Sequence, residues 1–143
     1  RRVCPMSSRF RKIVESIAEF EEVIAARWRE DDTSVFLEVR TEHGRSQVVM
    51  IQLVEGADEE AVVHIMSEIG PARADLYETM LLRNLHLRYG RIALVEGQVE
   101  RSFALVFAQP FADLDEIGFT RAFGEVVFMA DGIERETYGE DRT

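Results

Sequence analysis

A chain of 143 residues is the size of one domain with one core. Its apolar content of 46% is ordinary for a folded protein and too high for a disordered one, while a formal charge of −10 argues against nucleic acid and anionic membranes as partners. No apolar run approaches the ~18 residues that span a bilayer, and the first eight residues lack the apolar core of a secretory signal, so a cytoplasmic protein is expected. Cys4 is the one cysteine, which excludes an internal disulfide and a cysteine-based metal site.

Apolar residues from Ser8 to about Glu30 fall at Phe10, Ile13, Val14, Ile17, Phe20, Ile24 and Trp28. Gaps of three and four predict one long amphipathic helix, with Ser7 or Ser8 as its N-cap. The stretch SVFLEVRTE alternates, placing Val35, Leu37 and Val39 on one strand face, and His43-Gly44 reads as a turn. SQVVMIQLVEG is a second strand with Val49, Ile51 and Leu53 on one face and Val48, Met50 and Val54 on the other. A strand apolar on both faces is expected to be central or covered on both sides. Gly56-Ala57-Asp58 turns the chain. AVVHIMSEIG is read as a third strand ended by Gly70-Pro71, although Asp58-Glu59-Glu60 before it could start a short helix.

Asp75 with Glu78 three positions on has the form of a capping box and opens a second helix, with Tyr77, Leu81, Leu82 and Leu85 as its apolar face and Gly90 as its stop. RIALVEGQVERSFALVFAQPF reads as a hairpin turning near Glu96-Gly97-Gln98. Its second strand alternates a large row, Phe103, Leu105 and Phe107, with a small row, Ala104, Val106 and Ala108, which predicts a helix or second subunit packed closely on the small side. Asp113 with Glu116 is a second capping box before a long last helix, on which Gly118 and Gly124 suggest close packing. The predicted order is therefore α-β-β-β-α-β-β-α: one α+β domain of residues 1–143, its core spanning about 8–137, with an antiparallel twisted sheet and helices packed on it.

Little in the chain carries chemistry. His64 and His86 are the candidate bases, yet there is no G-x-S-x-G, H-E-x-x-H, P-loop or G-x-G-x-x-G around them. The acidic groups Glu21-Glu22, Asp58-Glu59-Glu60 and Asp113-Asp115-Glu116 sit on a helix face, at turns or at helix starts, without the spacing of a calcium loop. Arg83, Arg88 and Arg91 form a local basic cluster, read as arginines paired with carboxylates or as a patch for an acidic group. No cofactor, metal or catalytic residue is assigned. Trp28, Phe36 and Met50 are the candidates for an apolar partner-binding surface.

The order of elements, with LLRNLHLRYGRIALVEG at its centre, resembles the type III secretion chaperone-like fold, which includes the secretion chaperones and the bacterial YbjN-like proteins. The likeness runs from about Phe10 to Glu136. It rests on Leu81-Leu82 followed by Asn84, the strand Ile92-Ala93-Leu94, the stretch Ala108-Gln109-Pro110-Phe111, the acidic helix start Asp113-Leu114-Asp115-Glu116 and a final helix ending near Ala130-Asp131. The resemblance implies a small acidic, dimeric protein that holds an extended segment of another protein on apolar surface. The expectation is a non-catalytic protein-binding module, chaperone-like or regulatory, dimerising through Tyr77, Leu81 and Leu85. The alternatives are a small enzyme or ligand sensor using His64 or His86, and an acidic mimic of nucleic acid.

Overall fold

The computed structural model describes residues 5–55, 60–97 and 99–139, with side chains from Ser8 onward. In chain order the elements are α1 (Pro5–Ala18), β1 (Val23–Trp28), β2 (Ser34–Arg40), β3 (Ser46–Val54), β4 (Val62–Pro71), α2 (Tyr77–Arg83), β5 (Arg91–Val95), β6 (Ser102–Pro110) and α3 (Glu116–Tyr138). Every strand pairing is antiparallel, and the strands form one six-stranded sheet in the order β1-β2-β3-β4-β6-β5. The α+β architecture expected from the sequence is the one the chain adopts, with β4 a strand and β5–β6 a hairpin. The turns proposed at Gly56-Ala57-Asp58 and at Gln98, and Cys4, lie outside the described residues.

The N-terminal third departs from expectation. The predicted helix to Glu30 ends at Ala18, and the chain re-enters the sheet as the edge strand β1. Phe20, Ile24 and Trp28 are spaced by four, which satisfies a helix of period 3.6 and also the even period of a strand. Three carboxylates, Glu19, Glu21 and Glu22, follow the helix where its dipole is negative and so oppose its continuation. The N-cap assignment fails with it, because Ser7 and Ser8 lie inside the helix that begins at Pro5.

The core lies between the helices and one sheet face. Phe10, Val14 and Ile17 of α1, the odd-numbered residues Val35–Val39 and Val49–Leu53 of β2 and β3, Val63 and Ile65 of β4, and Leu105 of β6 are buried together with Phe119, Phe123, Val126, Val127 and Ala130 of α3. Each large side chain removed from water stabilises by ~1.5–3 kcal/mol. Gln47 is the polar exception on that face of β3. Its Nε2 donates to Ser67 Oγ at 2.9 Å and to the Glu68 carbonyl at 2.8 Å, and Ser67 Oγ donates to the Val48 carbonyl, so the buried polar atoms of this group are satisfied.

Both capping boxes are corrected. Asp75 is in a 3₁₀ turn and its carboxylate accepts from Arg73 rather than capping α2. The N-cap of α3 is Asp115, not Asp113, and its Oδ1 accepts the Gly118 N–H at 2.7 Å. A Cβ on Gly118 would stand 3.0 Å from that carboxylate, so this glycine makes room for a cap and not for a packed neighbour; Gly124 has nothing within 4 Å of its Cβ direction. Gly70 does answer to close packing. A Cβ there would meet the Tyr138 ring at 2.5 Å, and the Tyr138 hydroxyl donates to the Pro71 carbonyl, which fastens the end of α3 to β4.

Two carboxylates on α3 hold distant segments. Asp131 accepts from Arg45 Nε at 3.0 Å beneath the β2–β3 connection. Glu125 accepts three backbone N–H groups, from Arg88 at 2.7 Å, Tyr89 at 2.8 Å and Gly90 at 2.7 Å, and so pins the loop that enters β5. Asn84 secures the same region: its Oδ1 accepts the Ile92 N–H at 2.6 Å.

Candidate protein-binding surface

Side chains alternate across a sheet, so register decides which residues share a face. The residues that belong to the core pair with one another: Val35 with Ile51, Leu37 with Val49, Ile51 with Ile65 and Leu53 with Val63. The residues between them point to the other side, where Phe36 pairs with Met50, Met50 with Met66 and Met66 with Val106. None of these four belongs to the core cluster. An apolar row thus crosses β2, β3, β4 and β6 on a face that carries no helix among the described residues.

That face holds a shallow cleft of about 270 Å³ with Phe36, Val48, Met50 and Met66 along it and Glu68 and Glu96 at its wall. Val48 is 56% exposed, and Phe36, Met50 and Met66 are half-buried. Towards the other end of the strands a smaller hollow of about 200 Å³ is bordered by Gln52, Val54, His64 and Val106. Thioether side chains adapt their shape to what they meet, which suits a surface that accepts variable apolar groups.

Of the residues expected to bind a partner, Phe36 and Met50 are brought together and Trp28 is set apart. Trp28 pairs with Val35 and so faces the helices. Phe10 meets it edge-on at 6.1 Å, and the Arg11 guanidinium lies 4.3 Å over its ring while also reaching Asp32 at 2.6 Å. Trp28 therefore anchors α1 to β1 and belongs to no groove with the other two. Of the small row of β6, expected to lie under a helix or a second subunit, Ala104 is buried between Glu68 and Ala93 and Ala108 is open to water, with no helix over that side among the described residues.

Val48, Met66 and Val106 complete the open row and were not among the candidates. Their signal lies in the second apolar face of β3 and in the alternation along β4 that sets Val62, His64 and Met66 on one side. The expectation that β3 is central or covered on both sides is met by its place between β2 and β4; its second face has no helix over it among the described residues.

On the helix side, Tyr77, Leu81 and Leu85 behave differently from a core stripe. Tyr77 packs edge-on against Phe103 at 5.9 Å, and Met80 is the residue α2 buries. Leu81, Leu82 and Leu85 are 67%, 55% and 79% exposed, beside an apolar hollow of about 220 Å³ formed by Tyr77, Met80, Leu81, Ile92, Leu94 and Phe103. The four residues of the predicted helix face are thus split between Tyr77, which packs inward, and three leucines that project into solvent, Leu85 from the 3₁₀ turn that follows α2.

His64 sits half-buried on the open face, His86 is exposed in the turn after α2, and the sheet separates them. His43 occupies a left-handed turn position at φ 58°. Among the described residues no three His, Cys, Asp or Glu side chains are grouped as metal ligands. Arg83 pairs with Glu136 at 2.7 Å, and Arg91 donates to the Leu87 and Gly90 carbonyls, so two of the clustered arginines have intramolecular partners. Asp31 accepts the Thr33 N–H at 3.1 Å, and that bond lowers its pKa. Among the described residues no helix is long and apolar enough to cross a membrane. In comparisons with known proteins, no family model matches the chain and no curated protein matches it.

Proposed function

We propose that this protein is a non-catalytic, cytoplasmic protein-binding module, chaperone-like or regulatory, that holds an apolar segment of another protein on the open face of its sheet. The observation that carries the reading is the row Phe36–Met50–Met66–Val106, apolar side chains on a sheet face over which no helix lies among the described residues. Solvated faces of antiparallel sheets are ordinarily polar, and contiguous exposed apolar surface marks interaction sites. The resemblance to secretion chaperones and YbjN-like proteins rests on the order α-β-β-β-α-β-β-α, of which the chain keeps β-β-β-α-β-β-α from β2 onward and inserts the strand β1 after its first helix. The test is affinity capture from the native extract with wild-type protein and with a Met50→Asp, Met66→Asp double variant. A partner held stoichiometrically by the wild type and released by a folded variant is the expected result. Equal retention by both overturns the assignment of this face.

A homodimer through α2 is the second part of the proposal. Three exposed leucines beside an apolar hollow give each copy both a projection and a recess, the requirement of a self-complementary two-fold interface. Leu81→Asp is expected to convert a dimer to a folded monomer in sedimentation equilibrium. A wild-type monomer, or a dimer that persists in the variant, rules the contact out.

A further inference from the structure

The sheet register gathers soft donor atoms on the open face. Met50 of β3 and Met66 of β4 are paired directly across the strands, and His64 stands two residues before Met66 on the same side, opposite Gln52. Met50, His64 and Met66 all border the hollow of about 200 Å³ that Val54 and Val106 help to close. Opposed Cβ atoms on antiparallel strands lie ~5 Å apart, residues two apart on one strand ~6.8 Å, and diagonal neighbours ~7–8 Å. Two thioethers and an imidazole therefore rise from the corners of one small triangle, and side chains of this length reach a common point above its centre. Each is half-buried, so it is rooted in the sheet and still meets solvent. Among the described residues the His64 imidazole enters no hydrogen bond or ion pair, which leaves its ring nitrogens to a ligand from outside.

The donor set selects the metal. Thioether sulfur is a soft, uncharged ligand that suits Cu(I), and imidazole serves copper as well. Mg²⁺ and Ca²⁺ take oxygen ligands, and Zn²⁺ sites are built from thiolate, imidazole and carboxylate. No carboxylate borders this hollow. With three uncharged ligands a monovalent ion leaves a single charge on a largely apolar surface, whereas a divalent ion leaves two, at a much higher desolvation cost. The flanking charges are held by their own neighbours. Glu68, two residues beyond Met66, accepts from Ser102 Oγ at 3.1 Å, and Arg91, opposite Val106, donates to the Leu87 and Gly90 carbonyls. The chain's formal charge of −10 attracts a cation from solution.

We propose that Met50, Met66 and His64 form a site for a single Cu(I) ion, held by two thioether sulfurs and one imidazole nitrogen. The site goes beyond the reading of this face as a protein-binding surface and does not depend on it.

An anaerobic titration with Cu(I), kept reduced by ascorbate and competed against the chromophoric chelator bicinchoninate, tests the site. The Cys4 thiolate would take copper by itself, so every protein in the series carries Cys4→Ser. In that background the chain is expected to withdraw one equivalent of Cu(I), with sulfur and imidazole nitrogen as the neighbours of copper in its X-ray absorption spectrum. Met50→Leu, Met66→Leu keeps volume and apolar character and should weaken uptake by at least the ~100-fold that a change around a metal ligand can cost. His64→Gln should weaken it as strongly, and His86→Gln should leave it unaltered. The leucine pair keeps the face apolar, so it should still capture the protein partner that Met50→Asp, Met66→Asp releases, and the two readings of this face fail separately. Absence of uptake by the Cys4→Ser protein overturns the copper site. So does uptake that survives either the leucine pair or His64→Gln, or Zn²⁺ bound there as tightly as Cu(I).

Discussion

Asp131→Ala is expected to destabilise the protein by about 3 kcal/mol and lower its Tm by roughly 10 °C in a calorimetric scan. The side chains of Arg45 and Asp131 are only 10% and 5% exposed and stand 3.0 Å apart. Removing the carboxylate leaves a guanidinium largely out of water, with Glu134 at 3.9 Å as its other anion. The cost is that of a stranded charge more than of a lost attraction. Asp131→Asn, which retains an acceptor oxygen but no charge, should fall between wild type and alanine. Arg45→Met, Asp131→Leu should recover most of the loss, because two apolar groups of similar volume need no partner. If Asp131→Ala and the double variant are equally unstable, the cavity and not the orphaned arginine is responsible.

Glu125→Ala is expected to cost about 2–3 kcal/mol by freeing three backbone N–H groups at once. Hydrogen exchange at Arg88, Tyr89 and Gly90 should accelerate far more than at the strands β3 and β4. Glu125→Gln should cost less than alanine, because its one oxygen can still accept from Tyr89 and Gly90 while the amide nitrogen faces the Arg88 N–H. Since this loop leads into β5, the variant should also loosen the hollow bounded by Ile92 and Leu94 and weaken a dimer built on α2. Uniform acceleration across the sheet would show that the clamp supports the whole fold and not the loop alone.

Much of the architecture was legible because period and chemistry agreed. Val35, Leu37 and Val39 alternate without ambiguity, and Pro110 closes β6 where a donor is no longer needed. The helix-to-strand change after Ala18 was hidden because Phe20, Ile24 and Trp28 satisfy both periods, and an edge strand such as β1 buries too little to impose its own pattern. The caps misled for a related reason: Asp113 and Asp115 both precede acidic or apolar helix formers, and only backbone geometry selects Asp115. The candidate surface was half visible. Phe36 and Met50 could be picked as apolar residues out of place, but their meeting with Met66 and Val106 depends on register, which no local spacing encodes. Glu125 and Asp131 read as ordinary helix-surface acids, and their partners lie 35 or more residues away in sequence.

The strand order carries a kinetic consequence. β1 to β4 form a meander in which each strand pairs with the next, so each closure is short. The chain then leaves the sheet through α2 and β5, and β6 returns to the slot between β4 and β5. Joining Pro71 to Ser102 closes a loop of roughly thirty residues before any β4–β6 contact forms, an entropic barrier the meander does not face. The N-terminal meander is therefore positioned to assemble first and the capture of β6 to limit the rate. Until that capture, one edge of β4 is left as an unpaired template for another chain.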